Sequence, residues 1–204
     1  MQENDGYKDL FVTNGMVRRP NDLDFVRRAR DIRQRIAEGS VPESEFELIG
    51  LMPEVKVPNY FYKNLDGKHF ENRAEEWGVS QPSFSSGAVY ADLNNNGRLD
   101  LVVNNTNMPA FIYRNNEPEG ENHSYLKVKL NGAQWNSTGI GSKVILYSDD
   151  QIFYQENYPT RGFQSSVDHI LHFGLGEIES ADSLLVVWPD HRYEVLYDVE
   201  LNRL

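Results

Sequence analysis

The stretch Asp92-Leu93-Asn94-Asn95-Asn96-Gly97-Arg98-Leu99-Asp100 restricts the folds open to this chain more than any other. It places short oxygen-bearing side chains at loop positions 1, 3, 5 and 9 around a glycine at 6, a pattern by which hard oxygen ligands wrap a calcium ion. The carbonyl of Arg98 occupies position 7, and Gly97 allows the sharp turn that wrapping needs. Ala88-Val89-Tyr90 runs in and Leu101-Val102-Val103 runs out, both strand-like. An EF-hand would have flanking helices and a bidentate Glu at position 12, where this chain has Val103. The loop is therefore expected between two strands.

The same pattern occurs twice. Asp5-Gly6-Tyr7-Lys8-Asp9-Leu10-Phe11-Val12-Thr13-Asn14 superimposes on Asn96 to Asn105 at an offset of 91 residues. In that register Asp5 and Asp9 fall at loop positions 5 and 9, Glu3 at 3, Tyr7 opposite Arg98, and Met1 where the first aspartate belongs. A second echo links Tyr60-Phe61-Tyr62-Lys63-Asn64 with Ala110-Phe111-Ile112-Tyr113-Arg114-Asn115. Repeated strand units of this kind indicate a propeller or solenoid. One and a fraction units cannot close a ring, so the sequence reads as the C-terminal piece of a longer protein whose signal peptide lies upstream.

Between the loops, Leu23 to Glu38 reads as a helix, entered through Asn21 and Asp22 and stopped at Gly39, with Phe25, Ala29, Ile32 and Ile36 as its apolar stripe. Its arginines read as a solvated face, with an acidic docking partner as the alternative. A second helix is expected over Glu43 to Met52, before Pro53 and Pro58 enforce extended chain. The turn-rich segment Glu117 to Asn122 marks a boundary. This divides the chain into a truncated repeat region, residues 1–116 with a helical insertion at about 21–52, and a β domain at 124–204. The latter offers strands at Tyr125 to Leu130, Lys143 to Tyr147, Gln151 to Tyr158, His169 to Phe173, Ser183 to Trp188 and Tyr193 to Tyr197, spaced as in a β-sandwich or barrel.

Composition excludes several function classes. A formal charge of -11 disfavours nucleic acid, whose binders need a basic surface to displace counterions. No apolar run is long enough to insert in a membrane. With no cysteine there is no disulfide, thiolate metal site or thiol nucleophile.

Residues 59–115, through Phe61-Tyr62-Lys63-Asn64, Gly67, Phe70, Trp77-Gly78 and the Asp92 loop, resemble the FG-GAP/VCBS repeat of integrin-like β-propellers. Residues 124–204 resemble the ASPIC/UnbV domain, through Tyr125-Leu126-Lys127-Val128-Lys129-Leu130, Gly139-Ile140-Gly141-Ser142-Lys143-Val144, His172-Phe173-Gly174-Leu175-Gly176 and Val187-Trp188-Pro189-Asp190. That domain order is similar to that of the cartilage acidic protein family and its bacterial relatives, and the insertion looks most like the surface or exported Bacteroidetes versions. The resemblance implies a mainly β chain: part of a propeller, then a β-sandwich or barrel-like domain. It implies an extracytoplasmic, non-catalytic binding or scaffold module with a protein or carbohydrate ligand. Carried over residue by residue, it makes Asp92, Asn94, Asn96, Arg98 and Asp100 the calcium ligands, and Glu3, Asp5, Tyr7 and Asp9 an incomplete second set. Asn stands at positions 3 and 5 where family loops carry Asp, which weakens the attraction for calcium. The other reading of the loop is an Asx-rich turn held by side-chain to backbone hydrogen bonds.

Other constellations are weaker. His169 and His172, three apart on a strand, point to opposite faces and do not converge on a metal, and His172 is expected to pack or cap within its domain. Ser165, Ser166, Asp168 and His169 are the residue types of a hydrolase triad without a Gly-x-Ser-x-Gly elbow. Gly139-Ile140-Gly141 lacks the following helix of a phosphate loop. A glycan-binding or glycan-processing protein, with its site in the C-terminal domain or the missing propeller, is the alternative function. An exposed aromatic patch on residues 124–204, with none on 59–115, would favour the C-terminal domain as the ligand reader, and Trp135, beside Asn136-Ser137-Thr138, is the tryptophan to inspect for exposure.

Overall fold

A computed structural model describes residues 4–39, 45–116 and 123–204. The expected boundary at 117–122, the start of the second helix and Glu3 lie outside the described residues.

Two three-stranded sheets build the first part. β1 (Leu10–Val12) pairs antiparallel with β2 (Tyr60–Asn64), which pairs with β3 (Phe70–Asn72). β4 (Ser85–Ala91) pairs with β5 (Asp100–Asn105), which pairs with β6 (Phe111–Tyr113). Leu10 opposes Tyr62 in the first sheet and Leu101 opposes Tyr113 in the second, so β1–β2 and β5–β6 share one register. The loops before β1 and β5 match as well: Asn4 and Asn95 both take positive φ, followed two residues on by Gly6 at +89° and Gly97 at +80°. Phe61, Ala74 and Val79 form the core of this part, with Phe11, Trp77, Leu101 and Tyr113 packed on them from both sheets.

A buried polar chain ties the sheets at the other end. Asn59 Nδ2 donates to Ser85 Oγ at 2.8 Å, Ser85 Oγ donates to Asn105 Oδ1 at 2.8 Å, and Ser83 Oγ lies 2.7 Å from Ser85 Oγ. Ser83 and Ser85 are fully buried, and each hydroxyl has a partner, which removes the cost of burying them.

The insertion holds α1 (Leu23–Ala37) and α2 (Glu45–Gly50). Asp22 caps α1, its carboxylate accepting the Phe25 N–H at 3.0 Å, and Gly39 follows the helix at φ +68°. Phe25 and Ala29 bury against Leu48, with Ile32 and Met52 beside them. Arg18 is not part of a solvated face: its Nη1 donates to the Ile49, Gly50 and Met52 carbonyls, capping α2, and its Nη2 pairs with Glu54 at 2.8 Å.

The C-terminal part is a two-layer sandwich, and its sheets do not close into a barrel among the described residues. β7 (Ser124–Lys129) pairs with β10 (Ile170–Gly176). β8 (Lys143–Ser148), β9 (Gln151–Glu156), β11 (Ala181–Val187) and β12 (Tyr193–Val199) form a sheet in the order β12-β11-β8-β9. Alternation turns Leu126, Leu171, Phe173 and Leu175 of the small sheet against Val144, Leu146, Leu184 and Val186 of the large one. Val144, Leu146 and Phe173 are at most 2% exposed, each contributing ~1.5–3 kcal/mol by burial. No helix among the described residues is long and apolar enough to cross a membrane.

Candidate functional site

The Asp92 loop joins β4 to β5 and folds back on its own N–H groups. Asp92 Oδ1 accepts the Asn96 N–H at 3.0 Å and Oδ2 the Gly97 N–H at 2.9 Å. Asn94 Oδ1 accepts the Asn96 N–H at 3.2 Å, and Asn96 Oδ1 the Arg98 N–H at 3.0 Å. Asp100 closes the turn, taking the Leu93 N–H on Oδ2 at 3.2 Å and the Asn115 N–H on Oδ1 at 2.8 Å. Each of the four side chains named as a ligand therefore already holds backbone donors, as in an Asx-rich turn. In the first copy Asp5 accepts the Tyr7 N–H at 3.0 Å, and Asp9 accepts the Asn64 N–H at 2.9 Å. The Asp9–Asn64 bond is the counterpart of Asp100–Asn115. Among the described residues no three Asp, Glu, His or Cys side chains gather as a metal group, the pair His169 and His172 included.

The sequence reading missed the cation. Lys127 Nζ lies 3.0 Å from Asp92 Oδ2, with only 10% of the lysine side chain and 5% of the aspartate side chain exposed. Burial alone would raise the Asp92 pKa, but hydrogen bonds from Lys127, Gly97 and Asn96 together with the lysine charge hold it below the usual carboxylate value. Lys127 alternates with Leu126 and Val128 on β7, so it leaves the sandwich core on the opposite face, towards the loop. That alternation was the available signal: a lysine on an internal strand face must find an anion. A void of about 80 Å³ lies beside the pair, lined also by Asp168 and His172.

The same face of the small sheet takes up both loops. Asn4 Nδ2 donates to the Gly97 carbonyl at 2.8 Å, while its Oδ1 lies 2.8 Å from His172 Nε2. With the Asn4 amide so fixed, His172 carries its proton on Nε2, and its buried Nδ1 has no partner. His172 thus packs within its own domain, as expected, and also reaches across the joint to Asn4. Tyr125 stacks on His172 with centroids 5.7 Å apart, and a Cβ at Gly97 would fall inside the Tyr125 ring. A Cβ at Gly174 would lie 2.7 Å from Asn4 Cα, and Gly176 N–H donates to the Asn4 carbonyl at 2.6 Å. His172-Phe173-Gly174-Leu175-Gly176 is therefore the seat of the first loop.

The outer face of the large sheet is apolar and uncovered. Val195, Leu185, Ile145 and Tyr154 form one cross-strand row, with Tyr197, Ser183, Tyr147 and Ile152 beside it. Tyr197 is 74% and Ile152 66% exposed. Trp135 is 95% exposed. The repeat region also exposes aromatics, Tyr60 and Phe70 among them, so exposure alone does not single out the C-terminal domain.

Comparison with known proteins agrees with the C-terminal half of this picture. Residues 132–204 match the family model described as ASPIC and UnbV. Over 109 residues, 52% of this chain, the sequence is 29% identical to cartilage acidic protein 1 of Homo sapiens and 28% identical to that of Mus musculus. The match spans 16% of the length of either relative. The chain thus carries an ASPIC/UnbV domain and is distantly similar to cartilage acidic protein.

Proposed function

We propose that this chain is a non-catalytic binding or scaffold module that acts outside the cytoplasm, its two parts clamped into one body through the Asp92 loop. The Lys127–Asp92 pair carries this reading: its ammonium occupies the carboxylate that stands at the first position of the loop pattern. Asp92 Oδ2 already accepts both the Gly97 N–H and the Lys127 ammonium. A divalent ion sharing Asp92 would face that ammonium at close range, so these residues do not fit calcium while Lys127 is in place. The lysine makes the joint independent of metal. The common register of β1–β2 and β5–β6 supports reading the two units as neighbouring propeller blades of the FG-GAP type, and the similarity to cartilage acidic protein supports an extracytoplasmic setting.

Thermal melting tests the clamp. The native chain is expected to melt at the same temperature in EDTA and in millimolar calcium. Lys127→Met, which leaves a buried carboxylate unpaired, should lower the melting temperature by on the order of 10 °C and make it rise with calcium. A calcium-dependent rise in the native chain that Asp92→Ala abolishes would restore the metal as the clamp.

The outer face of the large sheet favours a second reading, a glycan-binding surface in the C-terminal domain. Tyr147, Tyr154, Tyr193 and Tyr197 share that face, and tyrosine offers a flat apolar ring with a polar tip for stacking on a sugar. Retardation in a gel containing a soluble β-glucan, lost in Tyr193→Ala/Tyr197→Ala, is the expected result. Unchanged migration of the native chain across a panel of neutral and acidic polysaccharides removes this reading.

A further inference from the structure

A cleft of about 370 Å³ opens where the two three-stranded sheets meet the loop 159–166 of the C-terminal domain. It falls in the size range of small-molecule sites, at a domain junction where such sites concentrate. Phe11, Phe61, Val79 and Leu101 supply apolar walls. Two polar groups among the lining are incompletely paired. The Tyr113 hydroxyl is buried with no hydrogen-bond partner, and burial raises its pKa. Orphaned hydroxyls of this kind cost stability unless something completes them. Arg161, also on the lining, pairs with no carboxylate among the described residues. Its Nη1 reaches only the Thr160 carbonyl at 3.5 Å, and its guanidinium lies 5.9 Å from the Tyr158 ring centroid.

Lys8 is near enough for burial and the Arg161 charge to depress its pKa, and its Nζ finds only the Tyr154 carbonyl at 3.3 Å. Two neighbouring cations repel each other, and an arriving carboxylate relieves that repulsion. The carboxylates on the cleft wall are held by backbone donors: Asp100 takes the Leu93 and Asn115 N–H groups, and Asp9 the Asn64 N–H. Phe163, from the same loop as Arg161, lines the cleft and stays 65% exposed.

We propose that this cleft binds a small amphipathic carboxylate. Its apolar body lies between the two three-stranded sheets, its carboxylate meets Arg161, and a polar group on the body completes the Tyr113 hydroxyl. The site shares Leu99 and Asp100 with the Asp92 loop but does not use the Lys127–Asp92 pair, and it needs no metal.

Titration calorimetry on the full 204-residue chain with 3-phenylpropionate and with its neutral amide tests this. The acid is expected to saturate one site with Kd below about 1 mM, and the amide to bind roughly tenfold more weakly. Arg161→Gln should bring the two probes to equal affinity, because only the charge contact is lost. Ala88→Leu, which fills the cleft from β4, should abolish binding of both, with circular dichroism and melting reporting that each variant is folded. No saturable binding of either probe to the native chain overturns the proposal. So does acid binding that Arg161→Gln leaves unchanged, whether or not Ala88→Leu folds.

Discussion

His172 is a base sealed in the joint. Burial is the largest influence and lowers its pKa from 6.5 to about 4; Asp92 pulls the other way and the Lys127 charge adds to the lowering. The folded state therefore refuses a proton that the unfolded chain accepts below pH 6.5. Its contribution to stability is complete above 6.5 and is lost as pH falls towards 4, a change on the order of 3 kcal/mol. Urea unfolding at half-unit pH steps should show this slope, and His172→Gln, which keeps a donor for Asn4, should flatten it between pH 6.5 and 4. An unchanged slope would place the pH dependence elsewhere. The Asp92 contribution has the same sign, because its pKa is also held down, and fades only below the ordinary carboxylate value, outside that window.

At the scale of elements, β10 shows why some of this architecture could be read from sequence and some could not. All six strands of the C-terminal domain lie where alternation places them, since one face of each must be apolar to cover a core. The glycines of β10 have no such periodic signal. Their cause is a neighbour 170 residues away in sequence: Gly174 lies against Asn4, and only the folded contact shows it. Gly174→Ala should cost roughly 1–3 kcal/mol in chemical denaturation, because the obstruction is backbone and cannot swing aside. Native stability in that variant would mean the loop seats less closely than described. The loop chemistry divides in the same way. The order of Asp92, Asn94, Asn96, Gly97 and Asp100 announced a turn dense in oxygen atoms, but its counter-charge came from β7, and pairing across domains leaves no spacing to read.

At the scale of the whole molecule the echo between β1–β2 and β5–β6 was legible because each strand keeps its residue order, at an offset of 91 for the first strand and 51 for the second, and the two pairs share a register. The cleft at the junction was not legible. Its walls come from β1, β2, β4, β5 and β6 and its cation from the loop 159–166, segments that nothing local in sequence relates. The C-terminal sandwich has a fixed stacking order: exposed tyrosine face, large sheet, apolar core, small sheet, then the two loops. A partner gripping the tyrosine face would draw on the sheets in series, through a core that resists by area, to a seam held by a few polar contacts around one ion pair. Under tension the seam is expected to part before either half unfolds, with Lys127–Asp92 as the contact that gives way.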